Sequence, residues 1–189
     1  KMISLWPVRT GVLVDNGVAY FGAGIFPAEG VAMYAVNAED GSLVWCNDTC
    51  GAAPQSRISP QGYLLASESR LFAPLGRVSP AAFDREKGHL LYEAYIEHII
   101  GGTNALLADG QLFTGTEQMI GFDEASHRSR AAWFWGESLV VTPKMFYSAT
   151  GAELFAVDRE KYGAASLRRK SLLDQQRDLN RRIHQARRG

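Results

Sequence analysis

Short apolar runs alternate with polar or small residues along most of the chain, and each run stops at an Asx or glycine turn. Val31-Ala32-Met33-Tyr34-Ala35-Val36 meets Asn37-Ala38-Glu39-Asp40-Gly41, and Ser42-Leu43-Val44-Trp45 resumes the apolar run. Runs of this length around such a turn predict a β-hairpin, because glycine takes the positive φ that the turn needs. The pattern returns three times. Ala82-Phe83-Asp84-Arg85-Glu86-Lys87-Gly88 leads into Leu90-Leu91-Tyr92, Gly121-Phe122-Asp123-Glu124-Ala125 is a shorter form, and Ala156-Val157-Asp158-Arg159-Glu160-Lys161 is the last. A second run precedes each of these, ending on Tyr20-Phe21, Phe72, Phe113 and Phe146-Tyr147. Aligning Tyr20, Phe72, Phe113 and Phe146 gives steps of 52, 41 and 33 residues, and aligning Asn37, Asp84, Asp123 and Asp158 gives 47, 39 and 35. The chain is therefore built from repeats.

Each unit reads strand, turn, strand, loop, strand, Asx/Gly turn, strand. A period of roughly 40 to 50 residues with that order predicts an all-β fold, a β-propeller of four-stranded blades with loops of unequal length. About four blades are recognisable, within residues 1–163. The pattern Ala-x-Asp/Asn-x-x-x-Gly-x-x-x-Trp/Tyr, carried by Ala35 to Trp45 and by Ala82 to Tyr92, resembles the PQQ-like, or quinoprotein-like, β-propeller repeat of bacteria. In the third unit His127 stands where the glycine belongs and in the fourth Tyr162 does, and neither has the closing aromatic in register. The resemblance implies that Trp45 and Tyr92 pack between neighbouring blades, and Asp84, Asp123 and Asp158 are expected to shape the turns. Family members usually have more blades, so the chain is expected to be part of a larger ring, completed by other blades or by another subunit. A periplasmic or extracellular location is also what the resemblance implies.

The pattern changes after Asp158. Tyr162-Gly163-Ala164-Ala165-Ser166 offers a break and a helix cap, and Leu172, Gln176, Leu179, Ile183 and Ala186 then recur at steps of 4, 3, 4 and 3, which predicts an α-helix over residues 164–189. Charge divides at the same place. The net charge is zero, yet Ala164 to Gly189 holds eight Lys or Arg against Asp174 and Asp178. This basic segment reads as a helix laid on the acidic blade region, or as a linker to a partner or further domain. Two arginines near Trp133-Phe134-Trp135, Arg128 and Arg130, are too few to predict nucleic-acid binding. No apolar run is long enough for a spanning helix.

Candidate chemistry is sparse. Arg9, Gln61, Thr103 and Asn104 fall at the start of the innermost strands and are candidates for a ligand site at the channel rim, or for hydrogen bonds from blade to blade. Cys46 and Cys50 are the only cysteines, and they either close a small disulfide or stay as free thiols; their spacing matches neither a zinc knuckle nor haem attachment. His98 beside Glu97 points to the opposite face of a strand from it. Gly101-Gly102 is not followed by any phosphate-binding pattern. With no catalytic or metal-spaced constellation, the expected function is a non-catalytic binding or assembly module. The resemblance also implies an alternative, a PQQ- and calcium-dependent dehydrogenase, whose calcium ligands and base cannot be matched to residues of this chain.

Overall fold

The computed structural model describes residue 4 and residues 6–50, 58–76, 78–93, 101–102, 104–125 and 130–187. Thr103, the Glu97-His98 pair and His127-Arg128 lie outside the described residues, as do the side chains of Trp133 and Phe134.

Four antiparallel sheets follow one another along the chain. Blade one is β1 (Leu13–Asp15), β2 (Val18–Ala23), β3 (Ala32–Asn37) and β4 (Leu43–Asn47). Blade two is β5 (Leu65–Ala66), β6 (Arg70–Ala73), β7 (Ala81–Asp84) and β8 (Leu90–Tyr92). Blade three is β9 (Ala105–Ala108), β10 (Gln111–Thr114), β11 (Gln118–Asp123) and β12 (Arg130–Trp135). Blade four has only β13 (Ser138–Val141), β14 (Met145–Ala149) and β15 (Leu154–Asp158). Within each sheet the strands pair in sequence order, so every connection is a hairpin.

Two local devices recur along the chain, the first in blades one and three. The first hairpin turns through residues at positive φ, Asn16 (51°) and Gly17 (75°) in blade one, Asp109 (50°) and Gly110 (71°) in blade three; both φ signs match the turn that follows strand twist. The second device is the Asx turn. Asn37 Oδ1 accepts from Glu39 N at 2.8 Å, Asp84 Oδ1 from Lys87 N at 2.7 Å and Asp123 Oδ1 from Ala125 N at 3.1 Å. Gly41 and Gly88, both at φ 73°, end the first two turns. A β-bulge then falls at one equivalent place in each complete blade, at Ala35/Val36, Ala82/Phe83 and Gly121/Phe122.

Blade four departs from the expected four strands because its Asx turn does not stop. Asp158 accepts from Lys161 N at 2.9 Å like its counterparts, but here it caps a helix, α1 (Arg159–Ala186). Tyr162 stands where Gly41 and Gly88 end their turns at φ 73°, and here the Asx turn runs on into the helix. The helix thus starts ahead of the expected residue 164 and replaces the outermost strand. Its 28 residues span about 42 Å. Among the described residues its first turn meets the sheets, where Arg159 pairs with Asp109 and the Tyr162 ring lies 6.2 Å from that of Phe146. Beyond it Leu167 is 72% exposed and Leu172, Leu179 and Ile183 are also exposed, so α1 is not laid on the blades as one sequence reading expected.

The core lies between the sheets rather than under one of them. Tyr20, Met33, Ala35 and Trp45 of blade one bury against Leu71 and Phe83 of blade two. Phe72 and Ala82 of blade two bury against Leu112 of blade three. Phe113 of blade three meets Phe146 of blade four at 5.5 Å, edge to face. Strand alternation explains how Leu71 and Phe72, adjacent in β6, serve two different junctions.

Candidate functional site

The polar side chains of this chain converge on the junctions between blades. At the first junction the Trp45 indole lies over Gly88, where any Cβ would overlap the ring, and its Nε1 donates to the Arg85 carbonyl at 3.0 Å. Asn47 Nδ2 adds a bond to the Gly88 carbonyl at 2.7 Å. At the second junction the Tyr92 hydroxyl donates to the Glu124 carbonyl at 2.8 Å. Arg85 and Glu124 both follow the Asx residue of their turn, so one geometry is used twice. Burial, more than any neighbouring charge, pushes the Tyr92 hydroxyl up to about 12, which keeps it a donor at any ordinary pH.

A second kind of link runs in the opposite direction. The Arg85 guanidinium reaches back to blade one, where it pairs with Asp15, donates to the Tyr20 hydroxyl at 3.2 Å and sits 5.6 Å from the centre of the Tyr20 ring, while a bond to the Ser67 carbonyl at 2.8 Å anchors it in its own blade. The Tyr20 hydroxyl is the leading cause that holds the guanidinium above its ordinary range. Arg159 does the same from blade four to blade three. It pairs with Asp109 at 2.6 Å, donates to the Thr142 carbonyl at 2.7 Å and lies 5.1 Å from the Phe146 ring centre. The signal for this pair is legible in the chain, since Asp-Arg-Glu-Lys occurs at 84–87 and again at 158–161, but turn formation alone accounts for the tetrapeptide until the preceding blade is in place.

Of the candidate rim residues, Arg9 and Gln61 come together. Arg9 donates to Gln61 Oε1 at 3.0 Å, to Ser59 Oγ at 3.1 Å and to the Ile25 carbonyl at 3.2 Å, while Gln61 Nε2 donates to the Leu75 carbonyl at 3.0 Å. Gly76, at φ 78°, leaves the space the Gln61 amide occupies. The Arg9–Gln61 pair therefore ties the entry segments of blades one and two together, beside the Gly11 N to Gly62 O bond of 2.7 Å. Asn104 lies elsewhere, in an open cavity of about 550 Å³ with Gly102, Thr116, Glu137 and Ser138.

Cys46 and Cys50 are free thiols in different surroundings. Cys46 is exposed across from Tyr34, and Cys50 is buried with its Sγ 3.6 Å from the Val31 carbonyl. Burial, then the neighbouring Cys46, raises the Tyr34 hydroxyl.

No protein-family model matches the chain, and no curated protein does. Solved structures do. The computationally designed Ika4 protein matches with a TM-score of 0.58 at 11% identity, over 80% of this chain and 91% of its own. The computationally designed Ika8 protein gives the same score and identity over 80% of this chain but 45% of its own. Quinohemoprotein alcohol dehydrogenase from Comamonas testosteroni matches with a TM-score of 0.50 at 15% identity, over 70% of this chain and 22% of that enzyme. The fold is that of a β-propeller, as in the dehydrogenase. At these identities the likeness concerns fold alone, and the chain spans under a quarter of the dehydrogenase's length.

The quinoprotein-like fold raises the question of PQQ and calcium. Calcium takes six to eight oxygen ligands with carboxylates among them. Among the described residues no three His, Cys, Asp or Glu side chains come together to hold a metal ion, and Arg9 and Gln61 spend their polar groups on the protein itself. The described residues do not fit that cofactor pair.

Proposed function

We propose that this chain is a non-catalytic propeller module for binding or assembly, a part of a larger protein or complex. The observation that carries the reading is the use made of Arg9 and Gln61, whose polar groups bond one blade to the next. The exposed Arg9 guanidinium already has three acceptors on the protein, Gln61 Oε1, Ser59 Oγ and the Ile25 carbonyl, and a ligand would have to compete with them. The exposed length of α1 supports contact with a protein partner. A periplasmic or extracellular location goes with the quinoprotein-like fold; no helix among the described residues is long and apolar enough to cross a membrane. Recognition of nucleic acid has no support in the charge pattern.

The test is to incubate the protein with PQQ and calcium and follow reduction of an artificial electron acceptor with alcohols and aldoses, with the melting temperature recorded in parallel. The expected result is no dye reduction and no melting shift, together with a loss of several degrees for Arg9→Ala. PQQ-dependent turnover would overturn the reading in favour of the dehydrogenase.

A further inference from the structure

We propose that the exposed length of α1 docks an acidic amphipathic helix of a partner protein, which packs along Leu172, Leu179 and Ile183 as the second strand of a two-stranded coil. The inference rests on the assembly reading above and names the partner's chemistry.

The spacing along α1 defines the seat. Ala165, Leu172, Leu179 and Ala186 stand seven residues apart, and Gln176 and Ile183 fall between them at steps of four and three. In a helix these residues form one row, about 32 Å long from Ala165 to Ala186. The row is uncovered, with Leu172 56%, Leu179 55% and Ile183 50% exposed. It is also narrow. At 100° per residue its members fall within an arc of about 80°, less than the stripe a helix needs to bed on a sheet or a globular core. Such a strict row is the seam by which two helices pack knobs into holes. Gln176 lies in the middle of it, where a polar residue fixes the register of a coil.

Charge selects the partner. Arg168 and Arg182 stand on one flank of the row and Arg187 on the other, and neither flank holds a carboxylate. Asp174 and Asp178 lie on the far side of the helix, where Asp174 is 3.7 Å from Arg177. Flanking charges choose the partner and its orientation in a coil, so the complement of this seam is an apolar row with Glu or Asp along both sides.

Two other occupants fit less well. A second copy of this chain leaves every flanking arginine without a carboxylate in either orientation, because its own aspartates face away, and packed in parallel it sets Arg182 of each copy opposite Arg187 of the other. A helix that lies on a membrane needs a broad apolar face, commonly with aromatic anchors. Residues 164–189 contain no Trp, Tyr or Phe.

The probe is a fluorescent synthetic peptide of three heptads, with Leu at both row positions and Glu at both flanking positions, titrated with the full chain and followed by anisotropy. One control peptide carries Lys in place of each flanking Glu, and another has the composition of the first with its leucines scattered round the helix. The Glu-flanked peptide is expected to bind at least tenfold more tightly than either control. Leu172→Gln with Leu179→Gln weakens that binding at least tenfold. Arg168→Glu with Arg182→Glu does the same and lets the Lys-flanked peptide bind instead, while the melting temperature of the blades stays where it was. Equal binding of the Glu-flanked and scattered peptides overturns the proposal, as does binding that survives loss of both leucines or of both arginines. A dimer of the chain on native mass spectrometry that Leu172→Gln with Leu179→Gln dissolves would make a second copy the occupant. Retention on phosphatidylglycerol vesicles lost with the same pair would make it a lipid surface, and either result overturns the acidic helix. Turnover with PQQ would end the non-catalytic reading without altering peptide binding, so the two failures are told apart.

Discussion

Trp45, Tyr92, Arg85 and Arg159 are the residues on which the assembly of sheets depends, and each acts across a gap that its own blade cannot close. Tyr92 allows the sharpest test. Its hydroxyl is held up to about 12 in the folded chain by burial, against about 10 in an unfolded one. The folded state therefore binds the phenolic proton more tightly, and the stabilisation is fully present below pH 10 and lost as pH rises from 10 towards 12. Urea melts of the wild type should show that loss. Tyr92→Phe should cost about 1 kcal/mol at neutral pH through the missing bond to Glu124, and should flatten the fall between pH 10 and 12. An equally steep fall in the variant would assign it to other groups.

At the scale of the element, glycine ends the first two Asx turns at positive φ. Gly41 and Gly88 have the same φ, so alanine at either costs about 1–2 kcal/mol in backbone strain. Only at Gly88 would the new Cβ meet the Trp45 indole. Gly88→Ala is expected to exceed Gly41→Ala by a further ~1–3 kcal/mol, the usual cost of overpacking, in thermal or denaturant unfolding. Equal losses would mean that Trp45 yields freely. In blade four the turn caps α1. Asp158→Ala should cost about 1 kcal/mol and reduce helical ellipticity, since Lys161 N then loses its acceptor.

For the molecule as a whole, the described residues form three interblade cores, and α1 joins them through its first turn, where Arg159 pairs with Asp109 and Tyr162 packs on Phe146. Brief trypsin treatment should cut first at Arg168, Arg169 and the arginines beyond, where the helix is exposed. The trimmed chain should melt within a degree or two of the intact one. A large drop would show that the helix past Tyr162 braces the blades.

The sequence alone determined the units. Hairpin turns, Asx turns and strand alternation are set by residues within four or five positions of one another, so Asn16-Gly17, Asp84-x-x-x-Gly88 and the apolar runs around them are readable in the chain. The repeat spacing and the resemblance led from there to the propeller. What crosses between units was decided only in three dimensions. Arg9 and Gln61 are far apart in the chain, and nothing local shows that each is the other's partner. Asp15 and Arg85 pair across separate blades because stacking the sheets brings a hairpin corner of one beside the Asx turn of the next. The start of α1 shows the same division: Asp158 reads as a turn residue, and a turn residue it is, but the helix it caps and the packing of Tyr162 on Phe146 are seen only in the folded chain. Local conformation is written in short stretches, whereas a seat such as the one Gly88 gives Trp45 exists only where two blades face each other.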